Sequence, residues 1–103
     1  MSQKILQMNF KFNIPRADLE AAWTEAAQPI ADMPGLLWKV WGMNEAEREA
    51  CGTYLFESEA AARSYLASPL VVGFKSSPAV SNITTKLFDV SESHTRITRG
   101  PVK

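Results

Sequence analysis

Histidine and cysteine are almost missing from this chain: His94 and Cys51 are the only residues of their types. A single thiol has no internal partner, so no disulfide framework is available, and a free cysteine suits a reducing compartment. One His and one Cys far apart in sequence make no metal-ligand cluster, so no metal is expected. Cys51 also lacks a neighbouring His to activate it as a nucleophile. Glycine is sparse and scattered; Gly35, Gly42 and Gly52 stand alone, and nothing resembles a phosphate-cradling loop. Charge of one sign is not in excess either. Eleven basic and eleven acidic residues cancel, which gives no basic patch for nucleic acid. No apolar run approaches the roughly 18 residues of a membrane span. The N-terminal stretch turns polar at Asn9 and Lys11, before a signal-peptide core forms. The expected location is cytoplasmic.

What remains is ordinary globular material. The chain has 103 residues, 46% hydrophobic and 21% charged, enough for one core. It is organised around Pro34-Gly35-Leu36-Leu37-Trp38-Lys39-Val40-Trp41, a turn followed by a run of aromatic and branched residues that reads as a strand. Two tryptophans three positions apart on a strand point to opposite faces. Before it, Leu6, Met8, Phe10 and Phe12 alternate with Gln7, Asn9 and Lys11, which predicts a first strand over 5–13. Pro15 marks a helix start, and Leu19, Trp23, Ala26, Ala27 and Ile30 form one helical stripe lasting to about Ala31, with a kink or early stop expected at Pro29. The central strand runs from Leu36 to about Met43. A short charged connection, 44–49, then leads to a third strand over 50–57, which makes this pair an antiparallel hairpin. Ser58 is a good N-cap for a helix carrying Ala62, Tyr65 and Leu66, and Pro69 breaks it and starts a shorter one with Leu70 and Phe74 on one side. Val80 to Val90 reads as the last strand.

The order is β-α-β-β-α-β, the ferredoxin-like α+β pattern with helices on one face of an antiparallel sheet. Residues 1–90 form that domain and 91–103 a polar C-terminal tail. The other sheet face, a mixture of Gln, Asn, Lys, Thr and aromatics, is too apolar for bare solvent, so a homodimer is expected to bury it.

With the elements placed, LQMNFKFN (6–13), PGLLWKVW (34–41), GTYLFESEAAARSYL (52–66) and KLFDV (86–90) resemble the YdhR-like monooxygenases of the dimeric α+β barrel superfamily. The resemblance implies a dimeric α/β barrel, with a substrate pocket between sheet and helices. Relatives in antibiotic biosynthesis use no metal, flavin or haem. On this chain the implied pocket side carries Leu6, Met8, Phe10, Phe12, Tyr54, Phe56 and one of Trp38 and Trp41, with Leu70 and Phe74 as a lid. Haem-degrading relatives ligate iron through a histidine on the second helical region; here 70–76 holds none, and Phe74 stands near the expected place. They also use a first-strand asparagine where Met8 stands, or Asn9 if the alignment shifts by one position.

Cofactor-free oxygenation needs a substrate that supplies its own electrons. The protein must bind a flat aromatic, assist loss of a proton, stabilise the anion and exclude water. Trp38, Trp41, Tyr54 and Phe74 are suitable walls for a flat ligand; Lys39 is the candidate to stabilise an anion, and Tyr54 to donate a hydrogen bond. His94, the one side chain with an ordinary pKa near neutrality, is a candidate base only if the tail folds over the cleft. The plainer alternative for each aromatic is core packing, and for His94 an exposed tail. The expected function is cofactor-independent monooxygenation of a small aromatic or quinone-forming compound; the alternative is a non-catalytic dimeric small-molecule-binding or stress-related protein.

Overall fold

A computed structural model describes residues 2–103. Strand β1 (Lys4–Phe12) is followed by helix α1 (Arg16–Ala31) and the hairpin β2 (Leu36–Asn44) and β3 (Glu49–Phe56). Helices α2 (Glu59–Leu66) and α3 (Pro69–Lys75), strand β4 (Val80–Asp89) and helix α4 (Glu92–Ile97) complete the chain. The four strands form one antiparallel sheet in the order β2-β3-β1-β4. This is the ferredoxin-like α+β arrangement, with β1 in the interior because β3 and β4 both pair with it.

The helix boundaries follow local chemistry. Ser58 Oγ accepts from Ala61 N at 3.1 Å and Ser68 Oγ from Val71 N at 3.4 Å, so each short helix has a side-chain cap at its N-terminus. Pro69 at the start of α3 gives up an N–H that would have no intrahelical partner. Pro29 does not stop α1, which continues to Ala31; two residues from the end, the lost hydrogen bond disturbs little of the ladder. Gly35 is at φ +82°, and a Cβ there would lie 2.5 Å from Ala61 Cβ, so the turn into β2 needs glycine twice over.

A register shift between Leu36 and Trp38 decides the faces of β2. Leu36 pairs with Phe56 and packs on the core, whereas Trp38 pairs with Leu55, so the extra residue between them reverses the alternation. Lys39, Trp41 and Met43 then turn toward the helices, and Trp38 and Val40 away from them. The core under the helices joins Leu6, Met8, Tyr54, Phe56, Ala62, Tyr65 and Val71 to a second group of Phe10, Phe12, Leu19 and Ala50.

The last thirteen residues are more ordered than a polar tail. They contain α4, and the chain then turns back at Arg99 (φ +68°). Trp38 Nε1 donates to Pro101 O at 2.8 Å, and Gln3 Nε2 donates to Lys103 O at 2.9 Å. Backbone carbonyls accept from an indole and a side-chain amide in these contacts, which is why hydropathy does not show them. Among the described residues no helix is long and apolar enough to cross a membrane.

Candidate functional site

Between the sheet and the helices lies a cavity of about 220 Å³. Met8 and Phe10 of β1, Lys39 and Trp41 of β2 and Tyr54 of β3 form its floor. Leu19, Trp23 and Ile30 of α1, Tyr65 of α2, and Leu70, Val71 and Phe74 of α3 form the walls and roof. Strand alternation brings the floor residues to one face, and the i, i+4 spacing of Leu70 and Phe74 lays both on the underside of α3. The Phe10 and Phe74 rings meet edge to face at 4.8 Å, and Trp23 and Trp41 lie 5.1 Å apart. An apolar cavity of about 150 Å³ is enough for benzene, so this one suits one or two fused rings.

Besides Cys51 and Ser77, three polar side chains line this apolar space. Lys39 Nζ lies 3.3 Å from the centroid of Trp41 and 4.6 Å from that of Tyr54. Its stem crosses the strand at Gly52, where a Cβ would come within 2.9 Å of Lys39 Cε and 3.1 Å of Tyr54 Cε1. Gly52 therefore leaves the slot through which the amine reaches the cavity. No Asp or Glu lines the space, and burial pulls the Lys39 pKa down from 10.5 to about 7. The two ring faces oppose this, because they attract an ammonium by about 0.5–2 kcal/mol. The drop to about 7 corresponds to roughly 5 kcal/mol, so desolvation outweighs the rings and keeps the amine far easier to deprotonate than an exposed lysine.

The other two polar groups are hydroxyls. Tyr54 Oη and Tyr65 Oη are 2.8 Å apart. Two phenols joined by one hydrogen bond have one O–H proton left over, available to a ligand oxygen. Burial raises both pKa values, so the pair stays protonated at neutral pH and acts as a donor. It is not a base.

The structure thus gathers Met8, Phe10, Lys39, Trp41, Tyr54, Leu70 and Phe74 around one space. It places three other candidates outside it. Trp38 lies on the opposite sheet face, held by the C-terminal chain. Phe56 is fully buried at one end of the core, stacked on Tyr54 at 5.9 Å, and does not reach the cavity wall. His94 is exposed on α4, its Nδ1 2.6 Å from Ser91 Oγ; the tail folds over the other face and carries it away from the cleft. Trp23 and Tyr65 belong to the site although sequence reasoning named them only as helix-stripe residues. Their signal was those stripes, since a helix covering a pocket buries the same face as one covering a core.

A family model described as "Putative mono-oxygenase ydhR" matches residues 5–101. The chain belongs to the ydhR mono-oxygenase family. Its fold is shared by SnoaB, a cofactor-independent oxygenase from Streptomyces nogalater, at TM-score 0.72 and 17% identity, over 87% of this chain and 94% of SnoaB. Protein SO0527 from Shewanella oneidensis aligns at TM-score 0.72 and 14% identity, over 86% and 91% of the two chains. A mutant of MhuD, with two manganese protoporphyrin IX bound per active site, aligns at TM-score 0.64 and 17% identity, over 84% and 94%. None of the curated proteins matches the chain. At these identities the solved structures establish the fold alone. No histidine lines the cavity, and α3 presents Leu70 and Phe74 to it, so the histidine ligation expected of haem-degrading relatives has no donor here.

Proposed function

We propose that the protein is a cofactor-independent monooxygenase for a one- or two-ring aromatic whose acidic O–H or C–H precedes oxidation, such as a hydroquinone or dihydroxynaphthalene. The observation that carries this reading is the Lys39 amine, held between Trp41 and Tyr54 in an otherwise apolar cavity. The neutral amine takes the substrate proton and becomes an ammonium beside the new anion, which pairs the two charges in a site poor in water. The spare hydroxyl proton of the Tyr54–Tyr65 pair donates to the anionic oxygen. The electron-rich anion then reduces dioxygen; one oxygen atom enters the product and the other leaves as water, the substrate supplying the electrons. Met8, Phe10, Trp23, Trp41, Leu70 and Phe74 hold the rings and exclude solvent.

Oxygen uptake by metal-stripped protein, offered hydroquinones and dihydroxynaphthalenes without added cofactor, tests this. Uptake above autoxidation with an oxygenated product is expected, and Lys39→Met abolishes it. A ligand that quenches tryptophan fluorescence, yet is recovered unchanged with no uptake across the panel, would replace catalysis by sequestration.

The working unit we infer is a homodimer closed through the open sheet face, where Val40 is 60% and Phe88 49% exposed. Sedimentation is expected to give about twice the 11.4 kDa chain mass; a monomer at micromolar concentration would refute it.

A further inference from the structure

The amine that serves as a base in the proposed oxygenation is also a nucleophile. A buried primary amine with no carboxylate partner, fixed by two ring faces and facing space for one or two aromatic rings, is arranged to attack a carbonyl carbon. We propose that Lys39 captures aromatic aldehydes, which enter the cavity and are held as a reversible imine on Nζ.

The step balances without any oxidant. The nitrogen lone pair attacks the carbonyl carbon, and one N–H proton moves to the carbonyl oxygen to give a carbinolamine. The C–O bond then breaks, the second N–H proton leaves with the hydroxyl as water, and a C=N bond remains. The Tyr54–Tyr65 pair has one O–H free to polarise the carbonyl as the attack begins. The rings of Trp23, Trp41 and Phe74 favour an aryl over an alkyl aldehyde, because a flat ring makes contact on both faces. An apolar site also favours the dehydrated imine by keeping water scarce.

Reactivity requires the neutral amine, and the surroundings provide it. The titratable groups facing Lys39 are Cys51 and Tyr54 on β3 and Tyr65 on α2; α1, α3, β1 and β4 present no charged group to the cavity. With a pKa lowered by burial to about 7, roughly half of Lys39 is unprotonated at neutral pH. An exposed lysine is neutral to only about one part in 10³ there. Lys39 is therefore expected to react faster than surface lysines at pH 7, by no more than about 10³-fold, because a lower pKa also makes the amine a weaker nucleophile.

The test is anaerobic trapping on the full chain, with 2-naphthaldehyde or propanal and sodium cyanoborohydride, read by intact mass and peptide mapping. One secondary-amine adduct on Lys39 with naphthaldehyde, slower with propanal and absent in Lys39→Met, is the expected result. Gly52→Ala, which keeps the lysine but pushes its stem out of the slot, is expected to reduce labelling at least tenfold. Naphthaldehyde spread evenly over all lysines, or equal labelling of Lys39 by the two aldehydes, would overturn the proposal. Because oxygen is excluded, imine capture stands or falls independently of oxygenase activity.

Discussion

The two faces of the sheet are made by alternate residues of the same strands, yet they solve opposite problems. On the helix side, Leu6, Met8, Phe10 and Phe12 of β1 are all buried, and Lys39, Tyr54 and Tyr65 bring polar groups to the cavity. On the open side, Gln7, Asn9 and Lys11 join a ladder across strands. Thr53 Oγ1 donates to Gln7 Oε1 at 2.6 Å, Gln7 Nε2 to Asn9 Oδ1 at 2.8 Å, and Asn9 Nδ2 to Glu49 Oε2 at 3.2 Å. The Asn9 hydrogen bond, followed by Lys11, holds the Glu49 carboxyl below its usual range. Around β1 and β3 the open face therefore pairs Gln7, Asn9, Thr53 and Glu49 with one another, which lowers the cost of covering that part with another protein surface. The helix face leaves a hydroxyl proton and an amine pointing into empty space. That difference separates a surface built for contact from a space built for a ligand.

Substitutions on the two sides are expected to separate accordingly. Phe56→Ala is expected to lose about 3–5 kcal/mol in a denaturant titration, as a ring is removed from the fully buried core. Val40→Ala would stay within about 0.5 kcal/mol on the exposed face of a monomer; in the homodimer inferred above it is expected to cost more than that. A Val40 penalty well above 1 kcal/mol would show that this face too is buried in solution.

Next in size is the pH dependence carried by Lys39. Below about pH 7 the amine is protonated in folded and unfolded chains alike, and folding carries the full cost of burying an ammonium. From about 7 up to 10.5 the unfolded chain keeps a proton that the folded chain has released, so stability rises with pH, by at most about 1.4 kcal/mol per unit. Lys39→Met is expected to remove that slope and to gain most over the parent at pH 7 and below. Parallel pH–stability curves for the two proteins would show that the folded amine keeps an ordinary pKa.

Gly35→Ala is expected to cost about 1–3 kcal/mol, since it combines positive φ with contact against α2. The tryptophans give a finer test. Trp38→Phe loses one indole hydrogen bond to Pro101, about 0.5–1.5 kcal/mol, and is expected to leave aromatic binding unchanged. Trp41→Phe is expected to weaken that binding several-fold with little loss of stability. Equal effects on binding would mean that the ligand contacts both faces. Smallest is Arg63→Gln on α2, whose exposed pair with Glu59 at 2.7 Å is expected to contribute no more than about 0.5 kcal/mol.

Much of this molecule follows from its sequence, and the physical reason is periodicity. Alternation in residues 6–12 and the i, i+4 stripe of α1 report burial directly, because an amphipathic element has one stable way to face a core. Caps and breaks at Ser58, Pro69 and Gly35 are equally local, as they concern the hydrogen bonds and dihedrals of a few neighbouring atoms. The spacing of Trp38 and Trp41 placed them on opposite faces, and the element order implied the ferredoxin-like sheet. Tertiary structure alone decided which tryptophan meets the cavity, because that depends on the extra residue at Leu37 and on the register with β3. It also decided that Trp23 and Tyr65 complete the site, and that a polar C-terminal segment returns to Trp38 and Gln3. Above all, it decided the character of Lys39. A lysine on a strand is by default a solvated cation; only the slot at Gly52 and the walls of Trp41 and Tyr54 remove it from water and make it a reactive amine. Desolvation is a property of the surroundings, and those surroundings exist only once β2 and β3 are paired.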